Sequence, residues 1–239
     1  HTVDYFKSMT SDPFIFGQIA ALHSLSDIHA MNGEAVSTLA VCVVPYGPEQ
    51  IVEDMLVQIL SGASVVLGAD RDEEDSDTGD TGISTGISGK KSGEGCALVG
   101  GHTSEGHELS LGFAVNGIAR KSMVLHKGSP SVTVNPVNAR DKHVIILTKP
   151  LGTGTLLAAN MRGLAKCSWM VSCNKNMLMS NRKAAKIIAN IQKKYNTSDN
   201  TSDNTSDSST KPKPINCCCT DVTGFGLLGH LIEMLKYDD

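Results

Sequence analysis

A mixed α/β (α+β) fold is the class this sequence predicts, on three observations. Apolar residues recur at the helical period after Pro13 and again after Pro48; short β-branched runs stand between and beyond them; and Pro, Gly and Asp mark the joints. Thr2–Phe6 reads as a strand interrupted by Asp4. Asp12-Pro13 opens a helix, because Asp can cap free N–H groups and Pro suits the first helical position. Phe16, Ile19, Ala20 and His23 continue that helix to about Ala30. Ser37–Val44 reads as a buried strand stopped by Pro45. Ile51, Met55 and Ile59 predict a second helix from Pro48 to about Gly62, and Ser64–Leu67 a short strand after it.

Asp70–Gly95 breaks the pattern. Seven acidic residues fall between Asp70 and Asp80 and a Gly/Ser-rich stretch follows, so the segment reads as a mobile surface insertion. Cys96–Val99 resumes as a strand running into a turn at Gly100-Gly101-His102-Thr103. Leu109–Ala119 is a further extended run, with Gly112 and Gly117 as bulges or close-approach points. Ser129–Asn138 is rich in Ser, Pro and Asn and marks the expected boundary between a first domain at 1–130 and a second at 131–239. The second opens with a strand at Val144–Thr148 and a loop at Lys149–Thr155 leading to a helix. A later helix sets Ala184, Ile187, Ile188, Ile191 and Tyr195 on one face. Residues 197–214 form a second insertion, begun by a Thr-Ser-Asp-Asn repeat that reads as disordered; the Asn-x-Ser/Thr patterns at Asn196, Asn200 and Asn204 are by-products of the repeat. The last segment turns from loop to helix, with Leu227, Leu228, Leu231 and Leu235 as its apolar positions.

Composition excludes several functions. The formal net charge is −4 with no dense basic stripe, which argues against nucleic acid as a partner. No run of about 18 apolar residues reads as a membrane span. Seven cysteines without regular spacing point to a reduced, cytoplasmic setting. His1, with no initiator methionine and inside a strand-like run, reads as an internal position of a longer chain.

Asp4, Asp27 and Asp221 are the candidate site residues, since each lies among apolar or small neighbours where a carboxylate needs a cation, donors or a metal. Magnesium on nucleotide phosphates takes one or two such carboxylates and keeps waters. Helix capping for Asp221 and an ordinary hydrogen bond for the others are the plainer readings. Gly100–Thr103 and Leu151–Thr155 are candidate phosphate cradles through exposed backbone N–H groups; neither has P-loop spacing or its lysine, and an ordinary tight turn remains open for each. His102 and His107 with Cys96 lack the spacing of a zinc site. Cys217-Cys218-Cys219 alternate in direction in an extended chain and do not readily converge on one ion.

Five blocks in order, "TVDYF", "DPFIFGQIAALHSLSDIHAMNG", "LVGGHTSEGHELSLGFAVNGIA", "VIILTKPLGTG" and "TDVTGFGLLGHLIEM", resemble selenophosphate synthetases of the aminoimidazole-ribonucleotide-synthetase-like superfamily. The resemblance implies two α/β domains, with the N-terminal ones pairing into a β-barrel across a homodimer. It implies ATP and selenide as substrates, Mg²⁺ as cofactor, and selenophosphate, AMP and phosphate as products. By resemblance Asp4 contacts the nucleotide, Asp27 binds magnesium near the nucleotide, and Asp221 completes the metal cluster. Gly100, Gly101, His102 and Thr103 match the segment lining the ATP site from the partner subunit.

The departures are specific. The family's catalytic Cys or selenocysteine, its lysine and a further metal-binding aspartate are expected upstream of His1, and the second domain is expected to continue past Asp239; the chain alone is therefore expected to be inactive. Asn32 stands where a second glycine is usual, and Asn tolerates the left-handed conformation. A non-catalytic paralogue, or a superfamily enzyme acting on a purine precursor or thiamine phosphate, are the rival readings.

Overall fold

The first strand, β1 (Thr2–Lys7), alternates as its sequence demands: Thr2, Asp4 and Phe6 are half-buried while Val3 and Tyr5 face outward. In the computed structural model, residues 1–68, 95–121, 123–128, 144–196 and 217–235 are described. They divide into two units, His1–Leu25 with Ala35–Gly117, and Ser26–Glu34 with Ile118–Asp239. The bulk of the acidic insertion, the segment Ser129–Asn138 and residues 197–214 lie outside the described residues.

In the first unit, helix α1 (Pro13–Ser24) starts as the sequence predicts. Asp12 is extended, its carboxylate accepts the Ile15 N–H at 3.0 Å, and Pro13 takes the first turn. The helix does not run on to Ala30. It stops at Ser24, whose buried hydroxyl donates to the Ala20 carbonyl at 2.9 Å, a back-bond that competes with the ladder. A short helix α2 (Ser26–Ala30) follows Leu25. Strand β2 (Glu34–Pro45) and helix α3 (Glu49–Leu67) come next. The strand expected at Ser64–Leu67 is instead the last turn of α3, where Gly68 N–H bonds the Ser64 carbonyl. Four apolar or small residues cannot distinguish strand from buried helix by period, and continuity with the helix decides.

α1 and α3 meet backbone to backbone. A Cβ on Gly17 would lie 2.0 Å from the Ile59 carbonyl oxygen, and one on Gly62 would lie 2.0 Å from the Phe14 carbonyl oxygen. α3 has 19 residues and a mean hydropathy of 1.4 in its best window, long and apolar enough to cross a membrane by length and composition alone. One face of it, with Ile59, Gly62, Ala63 and Leu67, is buried, while Ile51, Val57 and Val65 are exposed.

Strands β3 (Ala97–Gly106) and β4 (Ser110–Ile118) complete a sheet in the order β1-β4-β2-β3. β1 and β4 are antiparallel, Thr2 opposite Val115 and Lys7 opposite Ser110; β2 and β3 are parallel, with a register shift after Thr38. The inward residues Thr38, Ala40, Cys42 and Val44 of β2 and Leu111, Phe113 and Val115 of β4 are buried. With Phe16, Ile19, Ala20, Leu25, Ile59 and Leu67 they make the core. Burial leaves the Cys42 thiol neutral, its pKa pushed up to about 11. Gly112 is a close-approach point as expected, since a Cβ there would meet the Asp4 carbonyl at 2.3 Å. The opposite face carries Val3, Tyr5, Leu39 and Val41, with Val3 71% exposed. A strand expected to be buried on both sides is thus buried on one.

In the second unit, α2 ends in a left-handed residue as the sequence suggests. Asn32 has φ 56, its N–H bonds the His29 carbonyl, and Gly33 N–H reaches the Ile28 carbonyl at 2.8 Å, a Schellman arrangement. The Asn32 amide donates to the Met123 carbonyl at 2.9 Å. Helices α4 (Thr153–Met161), α5 (Cys167–Met177), α6 (Arg182–Asn196) and α7 (Gly226–Leu235) follow. Val144–Thr148, expected as a strand, is in no strand here, and its apolar residues Val144, Ile145 and Ile146 are exposed. A strand exists only with a partner, and none of the described residues supplies one.

Two stability predictions follow from these contacts. Gly62→Ala should lower stability by about 1–3 kcal/mol, because the added methyl meets backbone that cannot swing aside. Gly154→Ala, where a Cβ meets nothing within 4 Å, should be neutral or stabilising; equal urea midpoints for the two variants would contradict the tight helix contact. Asn32→Ala should cost about 1–2 kcal/mol, and Asn32→Gly less, since glycine keeps the left-handed conformation and loses only the amide bond; equal losses in urea unfolding would show that φ is not the constraint.

Candidate functional site

The candidate residues fall in both units. Asp4 lies in the first, half-buried on the inward face of β1 between Thr2 and Phe6 and opposite Phe113 in register. Gly100–Thr103 lies there too, but as part of β3, not as a turn after it. The register passes from Thr38–Leu98 to Leu39–Gly100, so Val99 is an extra residue on β3. A Cβ on Gly101 would lie 2.1 Å from the Ala40 carbonyl oxygen, so only glycine lets β3 close onto β2 here. β3 is an edge strand and His102 and Thr103 are exposed along it. A strand edge offers outward N–H and C=O groups without any turn.

Asp27 and Asp221 lie in the second unit, both half-buried. Asp27 is the second residue of α2, where the helix dipole favours a carboxylate. Its neighbour Ser26 is buried and accepts the Asn181 amide at 3.0 Å, which ties α2 to the residue preceding α6. Asp221 follows the cysteine run. His126 and Cys218 form a parallel bridge, and the Cys219 N–H bonds the His126 carbonyl at 3.0 Å. That pairing fixes the approach of the chain to Asp221.

The cysteines are held by the backbone, not by one another. All seven are free thiols. Burial first, then the Asp221 carboxylate and the adjacent cysteines, raise the Cys219 pKa and keep it from being a thiolate. Among the described residues no three His, Cys, Asp or Glu side chains converge as a metal site. The ring of His107 packs edge-on against Tyr46 at 5.8 Å. Asp27 and Asp221 do fit a hydrated magnesium ion, which needs hard oxygen donors and only one or two carboxylates. Beside them in the chain stand Ser26 and Thr220, also oxygen donors.

The second glycine segment does lead into a helix. Gly152 has φ 106 and precedes α4, which no side chain caps. The loop before it is held by Lys149, which donates to the Met179 carbonyl, and by Asn176, which donates to the Pro150 carbonyl at 3.4 Å. Burial holds Lys149 below the usual lysine range. Lys149 and His230 are the residues that period and motif reasoning passed over. In α7 the buried position is His230, 5% exposed, while Leu228 is 71% exposed. A histidine seven residues after Thr223, across a Gly-Phe-Gly turn, was the available signal.

Comparison with known proteins agrees with this architecture. Residues 1–119 match the family described as AIR synthase related protein, N-terminal domain. The "Selenide, water dikinase" of Treponema denticola is 34% identical over 236 residues, covering 98% of this chain and 50% of that protein. That of Clostridioides difficile is 30% identical over 235 residues, covering 98% and 51%. The chain thus spans about half the length of the curated relatives it matches. Among solved structures, "AaThiL complexed with AMPPCP and TMP" superposes with a TM-score of 0.50 at 15% identity, covering 78% of this chain and 51% of that one, a likeness of fold. The first half of the chain thus matches the AIR-synthase-related N-terminal domain, and the likeness to selenide, water dikinases runs along 98% of it.

Proposed function

We propose that these residues are part of an enzyme that makes selenophosphate from selenide, ATP and water, with AMP and phosphate released. The observation that carries the reading is the alignment with curated selenide, water dikinases along 98% of the chain. Asp27 and Asp221 are read as ligands of Mg²⁺, half-buried so that each carboxylate is partly stripped of water and gains from a cation. Magnesium, when bound, offsets charge on the phosphate oxygens. Asp4 is read as a nucleotide contact. Residues 1–130 are read as the nucleotide-binding and dimerisation domain and 131–239 as part of the second, in a cytoplasmic protein.

A homodimer accounts for the outward face of the sheet. Val3, Tyr5, Leu39 and Val41 form an apolar surface that none of the described residues covers, beside a β3 edge that none of them pairs. Closing two such sheets into a barrel would bury that face and carry Gly100–Thr103 to the partner's nucleotide. The chemistry then rests on positioning and charge stabilisation, with water kept from the transferred phosphoryl group.

Phosphorus NMR of the longest product of the gene, supplied with ATP, Mg²⁺ and selenide, should show a phosphorus–selenium product; Asp27→Asn should reduce its rate at least about 100-fold. Consumption of ATP without that product would move the assignment to another activity of the superfamily, and intact ATP to a non-catalytic paralogue. In sedimentation at micromolar concentration, the wild type should be a dimer and the Leu39→Glu, Val41→Asp double variant a monomer. A monomeric wild type would remove the cross-subunit role of Gly100–Thr103.

A further inference from the structure

The loop that carries Asp221 is exposed from Val222 to Phe225, yet it is tied at one point to a buried side chain. The Thr223 N–H donates to Nε2 of His230 at 3.1 Å, and the Thr223 hydroxyl lies 3.2 Å from the same nitrogen. A backbone N–H can only donate, so Nε2 must be the acceptor and the ring proton belongs on Nδ1. Nδ1 lies 3.4 Å from the Glu233 carboxylate, one turn along α7, and that carboxylate pairs with Lys127 at 2.5 Å. The pairing with Lys127 holds Glu233 below the usual carboxylate range, so a carboxylate faces Nδ1 at ion-pair distance, without the alignment of a hydrogen bond. Phe225 lies against the imidazole, ring centres 5.6 Å apart. Lys127 is one residue from His126, whose carbonyl takes the Cys219 N–H. The segment before Asp221 and the loop after it are therefore anchored through residues 126–127.

We infer that His230 is a positioning residue: as a neutral imidazole protonated on Nδ1 it fixes the Asp221 loop, through a relay from Lys127 and Glu233 to Thr223. This rests on the reading of Asp221 as a magnesium ligand, and it adds what aims that ligand. Two further bonds at the loop are short-range, the Gly226 N–H to the Thr223 carbonyl and the Thr220 hydroxyl to the Asp221 carbonyl. Without the imidazole acceptor the Thr223 N–H loses its bond to the buried side chain of α7. Gln is the conservative replacement, because its amide oxygen can reach the place of Nε2, while Phe keeps the ring and removes the acceptor.

The test uses the longest product of the gene, labelled with ¹⁵N in histidine, with the His230 resonance identified by its loss in His230→Gln. The expected ring pattern is proton on Nδ1 and acceptor at Nε2; a proton on Nε2 overturns the proposal without reference to any variant's folding. Dissociation constants for Mn²⁺, read by water-proton relaxation, should rise about 10–100-fold in His230→Phe and stay within about threefold of wild type in His230→Gln. Equal binding in Phe and wild type, or equal loss in Phe and Gln, overturns it. If His230→Phe does not fold, Glu233→Gln at a partly exposed position takes its place and should weaken Mn²⁺ binding by about 2–10-fold; unchanged binding overturns the relay. If the wild type itself binds no Mn²⁺, the metal reading of Asp221 fails separately. Hydrogen exchange at the Thr223 amide then decides the anchor, at least about tenfold faster in the variant if it holds and unchanged if it does not.

Discussion

Contact between the backbones of α1 and α3, at Gly17 and Gly62, is the constraint on which the first unit depends. Each glycine faces a carbonyl of the other helix at a distance that leaves no room for a methyl group. Two helices held that close present one continuous apolar surface, with Phe16, Ile19, Ala20, Ile59 and Ala63 fully buried. The sheet needs such a surface, because its apolar face must be buried against another element. On the other face Val3, Leu39 and Val41 are exposed among the described residues of the first unit, whose helices α1 and α3 pack together.

The second unit is organised differently. It has no strand longer than a bridge among its described residues, and polar contacts do much of the joining: Asn32 to Met123, Asn181 to Ser26, Lys149 to Met179, His230 to Thr223. The apolar Val144–Ile146 and the exposed leucines of α7 show how much of its hydrophobic surface remains uncovered. Half-buried, directional bonds position loops well while contributing only about 1 kcal/mol each. That suits segments whose task is to hold a carboxylate in place, as proposed for Asp27 and Asp221.

Local rules succeeded where one residue's chemistry decides the outcome. Asp12-Pro13 starts a helix because a carboxylate and a fixed φ satisfy the first turn, and Asn32 takes φ 56 because its short side chain tolerates it. They failed where the decision belongs to a neighbour. Ser64–Leu67 is helical because α3 continues through it, and Val144–Thr148 is in no strand because none of the described residues pairs with it. Gly100–Thr103 looks like a turn on its four residues, but β2 pairs with it and makes it an edge strand.

By itself the sequence determined the order of most elements, the candidate carboxylates Asp4, Asp27 and Asp221, and the family it resembles, since capping, period and ordered motifs are properties of neighbouring residues. The tertiary structure alone decided which face of the sheet is bare, why Gly17, Gly62 and Gly101 must be glycine, and that His230 is the buried side chain reaching the Asp221 loop. Those facts depend on which backbone arrives from elsewhere in the chain, and no window of sequence contains the distance between two carbonyls brought together by folding.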